Sequence, residues 1–272
     1  MKIEIGPSQA SDIPALKALW KQAFGDEDAF IDLFFREAYV PAGLFVLRED
    51  GRPVSMAAWF SMTFCSERRG WPTAYLYAVA TDEAARGRGY CRRLLDYMAG
   101  ALSAAGIECL CLVPGTRELF DFYEKLGFSR GLTNETRQLM ASETDCVATA
   151  IEAPMYLTIR EDFLAGMPYV SYPVPVLAYQ KKVARLAGGD LFLLEDGSQT
   201  GCACASIQDG KAVLHELLWP GDLEHGAAMI CRALGVRQAQ VRTPGTDRDF
   251  AMVRWLRTPP IPAEGYLGLG FD

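Results

Sequence analysis

The chain has 272 residues and a formal net charge of −7, and half of its residues are apolar. This length suits two domains with a sizeable core, and the acidic balance argues against nucleic-acid binding, which favours a basic face. A cationic substrate such as an amine is compatible with that charge. No apolar stretch has the length of a signal-peptide core at the N-terminus or of a membrane span, so we expect no membrane association.

The first elements along the chain are a strand and two helices. We predict a strand over residues 2–5, a helix from the capping pair Ser11-Asp12 to Phe24, and a second helix over residues 29–39. The acidic stretch Asp26-Glu27-Asp28 separates the two helices. Strands over residues 44–48 and 54–64 follow, joined by a turn.

A strand–turn–helix pattern comes next. The glycine turn, Arg86-Gly87-Arg88-Gly89-Tyr90-Cys91, lies between a predicted strand over residues 74–80 and a predicted helix over residues 92–98. This order places backbone N–H groups at a helix N-terminus, where an anion can bind, and the two glycines let the anion approach the backbone. The pattern predicts a diphosphate-binding turn, and the alternative is a tight turn with solvated arginines.

Other binding motifs do not fit this turn. The dinucleotide fingerprint Gly-x-Gly-x-x-Gly would need a third glycine where the chain has Arg92, and the Gly-Lys-Ser/Thr of a P-loop is absent. An RNA-binding Arg-Gly segment would be longer and repetitive.

A second pattern follows within forty residues. We predict a buried strand over residues 108–113, a helix N-cap at Thr116, and a helix over residues 117–126 that Gly127 ends. One face of this helix carries apolar side chains at helical spacing. The helix and the start of the next strand give the string Phe122-Tyr123-Glu124-Lys125-Leu126-Gly127-Phe128.

Together the two patterns resemble the GNAT superfamily of N-acetyltransferases. The glycine turn is similar to motif A, [Gln/Arg]-x-x-Gly-x-[Gly/Ala], which binds the pyrophosphate of coenzyme A, with Cys91 as a small departure. Residues 122–128 are similar to motif B, Phe-Tyr-x-Lys-x-Gly-Phe. The resemblance covers the first half of the chain. It implies an α/β (α+β) fold, in which helices flank a mixed sheet.

The resemblance also implies a site. Tyr123 takes the place of the general acid that protonates the leaving thiolate, and the alternative is a core aromatic residue. The N–H of Val79 becomes a donor to the thioester carbonyl. Residues implied to line coenzyme A are Val79, Ala80, Thr81, Arg86, Gly87, Arg88, Gly89, Tyr90 and Cys91.

The acceptor side is implied less directly. In the superfamily the helices after the first strand form one wall of the acceptor site, so Asp26, Glu27 and Asp28 become candidates to attract an amine. The alternative, a solvated acidic linker between two helices, is the favoured interpretation. No residue is assigned as the general base.

The eight cysteines show no paired metal-ligand spacing. Cys109-x-Cys111 and Cys202-x-Cys204 lie in strand-like runs, so each pair points to one face of a sheet. We therefore expect reduced, buried thiols in a cytoplasmic protein, with neither disulfides nor a bound metal. Both histidines lie in the second half, which excludes a histidine-centred site built from the first half alone.

A polar stretch around residues 133–154 divides the chain, and we predict domains over residues 1–140 and 150–272. The second half repeats the order of the first in weaker form and resembles a second, degenerate GNAT fold. Predicted helices cover residues 175–186, 223–234 and 250–256, and predicted strands cover residues 190–194, 201–207, 212–219, 238–242 and 266–271.

The second half differs from the first at its own turn. The turn Pro220-Gly221-Asp222-Leu223-Glu224-His225 is acidic, so it would repel a pyrophosphate, and we expect no coenzyme A there. The tandem arrangement resembles Eis-type acetyltransferases without their sterol-carrier-like domain. In that family a terminal carboxylate has been given the role of base, but we expect Asp272 to be an ordinary terminal residue.

These observations predict an N-acetyltransferase that moves an acetyl group from acetyl-CoA to a primary amine, on a small molecule or a peptide, by direct attack. Two alternatives stay open: transfer of a longer acyl group, and an acyl-CoA-binding sensor without catalysis. The sequence identifies neither the acceptor nor the oligomeric state.

Overall fold

A computed structural model describes residues 1–67, 69–262 and 264–271 and divides the chain into two compact units. The first unit comprises Met1–Thr63, Trp71–Ser129 and Met252–Pro262, and the second comprises Phe64–Gly70, Arg130–Ala251 and Ala263–Asp272. Each unit therefore takes in a segment from the other half of the sequence. The division into residues 1–140 and 150–272 stays a prediction about independent domains, and Asp272 lies outside the described residues.

The first unit contains a mixed sheet. Its strand order is β1-β2-β3-β4-β5, followed by the last residues of β12. Strands β4 and β5 run parallel, whereas the pairs β1–β2, β2–β3 and β5–β12 are antiparallel. The elements are β1 (Ile3–Pro7), α1 (Ile13–Phe24), α2 (Asp28–Glu37), β2 (Leu44–Glu49), β3 (Arg52–Ser66), β4 (Arg69–Thr81), α3 (Tyr90–Ala104), β5 (Cys109–Leu112) and α4 (Arg117–Glu124).

Helices cover both faces of this sheet. On one face α3 and α4 pack on the strands through a buried cluster that includes Leu94, Phe120 and Leu76. On the other face the rings of Trp20 in α1 and Phe34 in α2 lie 5.4 and 5.9 Å from that of Tyr77 in β4. The predicted α/β class, with helices flanking a mixed sheet, is confirmed.

The second unit contains another mixed sheet, in the order β12-β11-β10-β9-β7, with β6 also paired to β12. Strands β11 and β12 run parallel, and β10 is antiparallel to both β11 and β9. The elements are β6 (Ser129–Met140), β7 (Val147–Ala150), α5 (Ala153–Leu164), β8 (Tyr169–Ser171), α6 (Val174–Leu186), β9 (Asp190–Glu195), β10 (Thr200–Gln208), β11 (Lys211–Leu218), α7 (Leu223–Leu234) and β12 (Gln238–Trp255).

A buried ion pair lies in the core of the second unit. The Arg160 guanidinium is 2.9 Å from the Glu216 carboxylate, and both side chains are fully buried. Tyr156 donates a hydrogen bond to the same carboxylate at 2.6 Å. Arg160 also donates to the carbonyls of Val170 and Leu267, each at 2.9 Å. These bonds satisfy the guanidinium and tie down the segment that follows Gly265.

Several element predictions differ from the structure. The predicted helix over residues 250–256 is the end of strand β12, where Phe250–Val253 are all buried and carry no periodic pattern. The predicted strand over residues 266–271 is a buried segment without regular structure. Helix α5 was not predicted, although Pro154 in its first turn is a helix-start signal.

Candidate active site

Strands β4 and β5 share only a short parallel ladder. Their pairing runs from Thr73↔Cys109 to Tyr75↔Cys111, whereas β4 continues to Thr81. Beyond the ladder, β4 has a left-handed residue, Ala78, with φ of 48°. This conformation costs a residue with a side chain about 1 kcal/mol. The end of β4 therefore extends beyond its ladder with β5, and β5 itself ends at Leu112.

The left-handed residue also changes which face of the sheet the Val79 side chain takes. Ala74 and Leu76 belong to the buried cluster that contains Tyr123, and Val79 packs against the same cluster. Simple alternation from Leu76 would have sent Val79 to the opposite face, so Ala78 acts as a bulge that re-aims it. No sequence signal predicted this bulge, because alanine is not a residue that favours positive φ.

The glycine turn connects β4 to α3. Both of its glycines are left-handed, with φ of 75°, and Gly89 occupies the N-cap of α3. A Cβ built on Gly87 or Gly89 would meet no heavy atom within 4 Å. The space over the turn is thus open, and the first N–H groups of α3 can bind an anion there.

The arginines of the turn bond to the protein itself. Arg86 donates to the carbonyl of Thr81 at 3.2 Å and lies 3.5 Å from the Glu83 carboxylate. Arg88 donates to the Glu49 carboxylate at 3.1 Å. Their charges lie near the turn, but their hydrogen bonds, those to Thr81 and Glu49, brace its backbone. The backbone N–H groups are therefore the better candidates for direct anion contact.

Helix α4 is fastened to the start of α3. Arg92 in the first turn of α3 donates to the carbonyl of Lys125, just after α4, at 2.8 Å. Tyr123 in α4 is 6% exposed, and burial, assisted by the nearby Cys91 thiol, raises its pKa well above the usual value. Burial likewise raises the pKa of Cys91 to about 12. Both groups are therefore protonated at neutral pH, and the structure brings the predicted acid beside the predicted turn.

The acidic stretch between α1 and α2 has partners of its own. Asp26 accepts a hydrogen bond from the indole of Trp20 at 2.8 Å, and Asp28 forms an exposed ion pair with Lys21 at 2.7 Å. Glu27 is the exposed N-cap residue of α2. These contacts favour the linker interpretation, and a role in acceptor binding stays a prediction.

Sequence reasoning missed an aromatic cluster beside the site. Trp20, Phe34, Phe60 and Tyr77 have ring centroids 4.9–6.3 Å apart in their close pairs. Tyr77 lies on β4, next to the bulge, and is partly exposed. The available signal was the density of aromatic residues in α1 and α2.

The second unit has a matching strand pair, but its opening is filled. The parallel ladder of β11 and β12 ends at Leu214↔Val241. Just beyond it, Thr243 donates to the carbonyl of Leu217 at 2.9 Å, and Arg242 donates to the carbonyl of Gly268 at 3.2 Å.

The helix that follows β11 is also closed to an anion. The carboxylate of Asp222 accepts from the N–H of Glu224 at 3.3 Å, so an acidic side chain occupies the N-terminus of α7. The N-terminus of α7 therefore carries a negative charge where the first unit has its glycine turn.

The described residues hold neither a cluster of metal-ligating side chains nor a helix that could span a membrane. Among them, no three His, Cys, Asp or Glu side chains are grouped as metal ligands would be. None of the helices in residues 1–67, 69–262 and 264–271 combines the length and the apolar character that crossing a bilayer requires.

Comparison with known proteins identifies the first unit. Residues 4–131, which include the glycine turn and Tyr123, match the family described as "Acetyltransferase (GNAT) domain". This part of the chain is therefore a GNAT acetyltransferase domain, and the protein is an enzyme of the acyltransferase class. No curated protein sequence matches the chain.

Solved structures show the same fold over nearly the whole chain. A GCN5-related N-acetyltransferase from Anabaena variabilis superposes with a TM-score of 0.74 at 13% identity, covering 94% of this chain and 73% of that one. Eis1 from Mycobacterium abscessus gives 0.65 at 11% identity, covering 94% and 74%. A putative acetyltransferase from Pyrococcus horikoshii gives 0.66 at 14% identity, covering 99% and 95%. The likeness in fold thus extends well beyond residues 4–131.

Proposed function

We propose that the protein transfers an acetyl group from acetyl-CoA to a primary amine on a small molecule or a peptide. The observation that carries this proposal is the joining of two features in one unit. An open, glycine-lined helix N-terminus lies beside a buried, protonated tyrosine, Tyr123, on the helix that Arg92 fastens to it.

In this proposal the glycine turn holds the diphosphate of acetyl-CoA through backbone N–H groups. The end of β4 beyond Tyr75, which continues past the ladder with β5, pairs with the amide-containing arm of the co-substrate. The N–H of Val79, the residue that follows the bulge at Ala78, is the proposed donor to the thioester carbonyl, where negative charge develops during attack.

The chemistry then needs one acid and one base. The amine nitrogen attacks the carbonyl carbon, a C–N bond forms, and the C–S bond breaks as the intermediate collapses. Tyr123 gives its proton to the departing thiolate and recovers one from solvent. The attacking amine must lose a proton, and no side chain is assigned to accept it.

The second unit is proposed to bind no acyl-CoA. Arg242 and Thr243 bridge the opening between its parallel strands, and Asp222 caps the helix where a diphosphate would bind. We therefore expect one acyl-CoA site per chain. The buried thiols of both units suit a reducing compartment, and we propose a cytoplasmic location without nucleic-acid or membrane partners.

Calorimetric titration of coenzyme A and acetyl-CoA tests the proposal, followed by thiol release across a panel of amines. We expect binding with Kd in the micromolar range, about −8 kcal/mol, and a stoichiometry of one. Absence of binding would leave only the fold in common with acetyltransferases. Binding without turnover on any amine, together with an unchanged affinity in Tyr123→Phe, would favour the acyl-CoA sensor. Faster turnover with longer acyl thioesters than with acetyl-CoA would favour transfer of a longer acyl group.

A further inference from the structure

We propose that Glu49 is a positioning residue that holds the glycine turn in its diphosphate-binding geometry. This inference rests on the proposed function, because it concerns how the same site recognises a diphosphate. Glu49 lies outside both motifs, about forty residues before the turn, and carries a charge that should repel the ligand.

Glu49 is itself rigidly placed. It is the last residue of β2 and is paired on both sides, to Ile3 of β1 and to Arg52 of β3. Its side chain is only 19% exposed. A carboxylate held by two neighbouring strands can serve as a fixed point for a loop that packs against it.

Two donors from the turn meet at this carboxylate. Arg88, which stands between the two left-handed glycines, donates at 3.1 and 3.3 Å to the two oxygens of Glu49. The buried Tyr90, first residue of α3, donates its hydroxyl to the same carboxylate at 3.0 Å. Arg88 also donates to the carbonyl of Ala84 at 3.2 Å. The turn is therefore bonded on both sides of Gly89.

The glycines explain why such a brace is needed. Gly87 and Gly89 give the turn the left-handed geometry that exposes its N–H groups, but glycine is also the residue with the most backbone freedom to lose. A Cβ at either glycine would touch nothing, so no packing around them restricts the turn. The hydrogen bonds to Glu49 restrict the turn instead, so diphosphate binding has less backbone entropy left to remove.

The positioning role and the charge of Glu49 predict opposite effects of its removal on diphosphate binding. Removing a carboxylate near a polyanion should strengthen binding if Glu49 acts only through its charge. If Glu49 positions the turn, its removal should weaken binding despite the gain in positive potential. Glu83 supplies a matched control, because it is a carboxylate beside the same turn. Its side chain is 61% exposed and forms a single ion pair, with Arg86 at 3.5 Å.

The experiment titrates coenzyme A into the wild type and into Glu49→Ala, Glu49→Gln and Glu83→Gln, at fixed salt. We expect about tenfold weaker binding for Glu49→Ala, from the loss of charge-assisted hydrogen bonds. We expect a smaller loss for Glu49→Gln, which keeps an acceptor oxygen, and equal or tighter binding for Glu83→Gln.

Amide hydrogen exchange of the unliganded proteins gives the second readout. Residues 84–93 should exchange faster in Glu49→Ala than in wild type or Glu83→Gln, while the paired residues 109–112 of β5 keep their protection. Loss of protection in β5 as well would show general unfolding and would overturn the positioning role. Equal or tighter binding by Glu49→Ala, with unchanged exchange in the turn, would overturn it too. If the wild type binds no coenzyme A, the proposed function fails, and this inference fails with it.

Discussion

The contrast between two glycines gives the sharpest test of the site. Gly89, in the glycine turn, has φ of 75° and ψ of 13°, and Gly25, at the C-cap of α1, has φ of 73° and ψ of 7°. A Cβ at either position would meet no heavy atom within 4 Å. The variants Gly89→Ala and Gly25→Ala therefore impose the same backbone strain in equally open surroundings and differ in their location.

We expect the two variants to lose stability equally but to differ in their affinity for coenzyme A. A left-handed alanine costs about 1 kcal/mol relative to glycine, so both variants should lower Tm by about 2–4 °C. Only Gly89→Ala places a methyl group over the N–H groups that would bind the diphosphate. Loss of one hydrogen bond to a charged oxygen corresponds to about 1.5–3 kcal/mol, or roughly tenfold to a hundredfold in the Kd for coenzyme A.

The assay combines thermal unfolding with calorimetric titration of coenzyme A for the wild type and both variants. Equal Tm losses with weaker binding for Gly89→Ala alone would support the anion site at the turn. Wild-type affinity in Gly89→Ala would refute it, because the ligand could not then lie against this backbone. Equal loss of affinity in both variants would show that strain, and not contact, was being measured.

Further predictions concern the acid, the thiol and the second unit. Tyr123→Phe should lower kcat for thiol release about a hundredfold or more with little change in the KM for acetyl-CoA, and an unchanged kcat would exclude Tyr123 as the acid. Because burial raises the pKa of Tyr123, loss of its proton should not lower kcat until the pH is above about 10. The free energy of unfolding should decrease above about pH 10, since the unfolded chain then releases a proton that the native state keeps. Since burial raises the pKa of Cys91 to about 12, its thiol should resist alkylation at pH 7 in the native enzyme, and fast alkylation would contradict this burial. The variant Cys91→Ala should keep kcat within about threefold. Glu216→Gln should lower the free energy of unfolding by about 3–5 kcal/mol in denaturant titrations by leaving Arg160 charged and buried, and a loss below about 1 kcal/mol would contradict that role.

The parts of the site that follow from local chemistry were predictable from the sequence. Gly87 and Gly89 mark the left-handed turn, and the helical spacing around Tyr123 places it on a buried face. The bulge at Ala78 was not predictable, because the surrounding strands impose it on a residue that does not favour positive φ.

Long-range contacts account for the other differences. The arginines of the turn looked like ligands for an anion, but Arg88 is held by Glu49, and no sequence pattern links residues so far apart. Strand β12 was predicted to end near residue 242 and to be followed by a helix over residues 250–256. Its first part, Phe250–Val253, is buried at every position, so it lacks the period that distinguishes a strand from a helix.

The pairing of Met252–Trp255 with β5 has a consequence for how the catalytic unit is made. A chain translated only as far as residue 131 contains the whole matched family region, yet its β5 has no partner on one side. The exposed edge would be the apolar sequence Cys109–Leu112, which invites pairing with another chain. During synthesis this edge must therefore wait for more than a hundred further residues, at a few seconds to tens of seconds by ordinary elongation rates of about 5–20 residues per second. The acetyltransferase unit thus depends for its last strand on residues far along the chain. A nonsense or frameshift mutation between residues 131 and 252 would leave a complete set of motifs on an incomplete sheet.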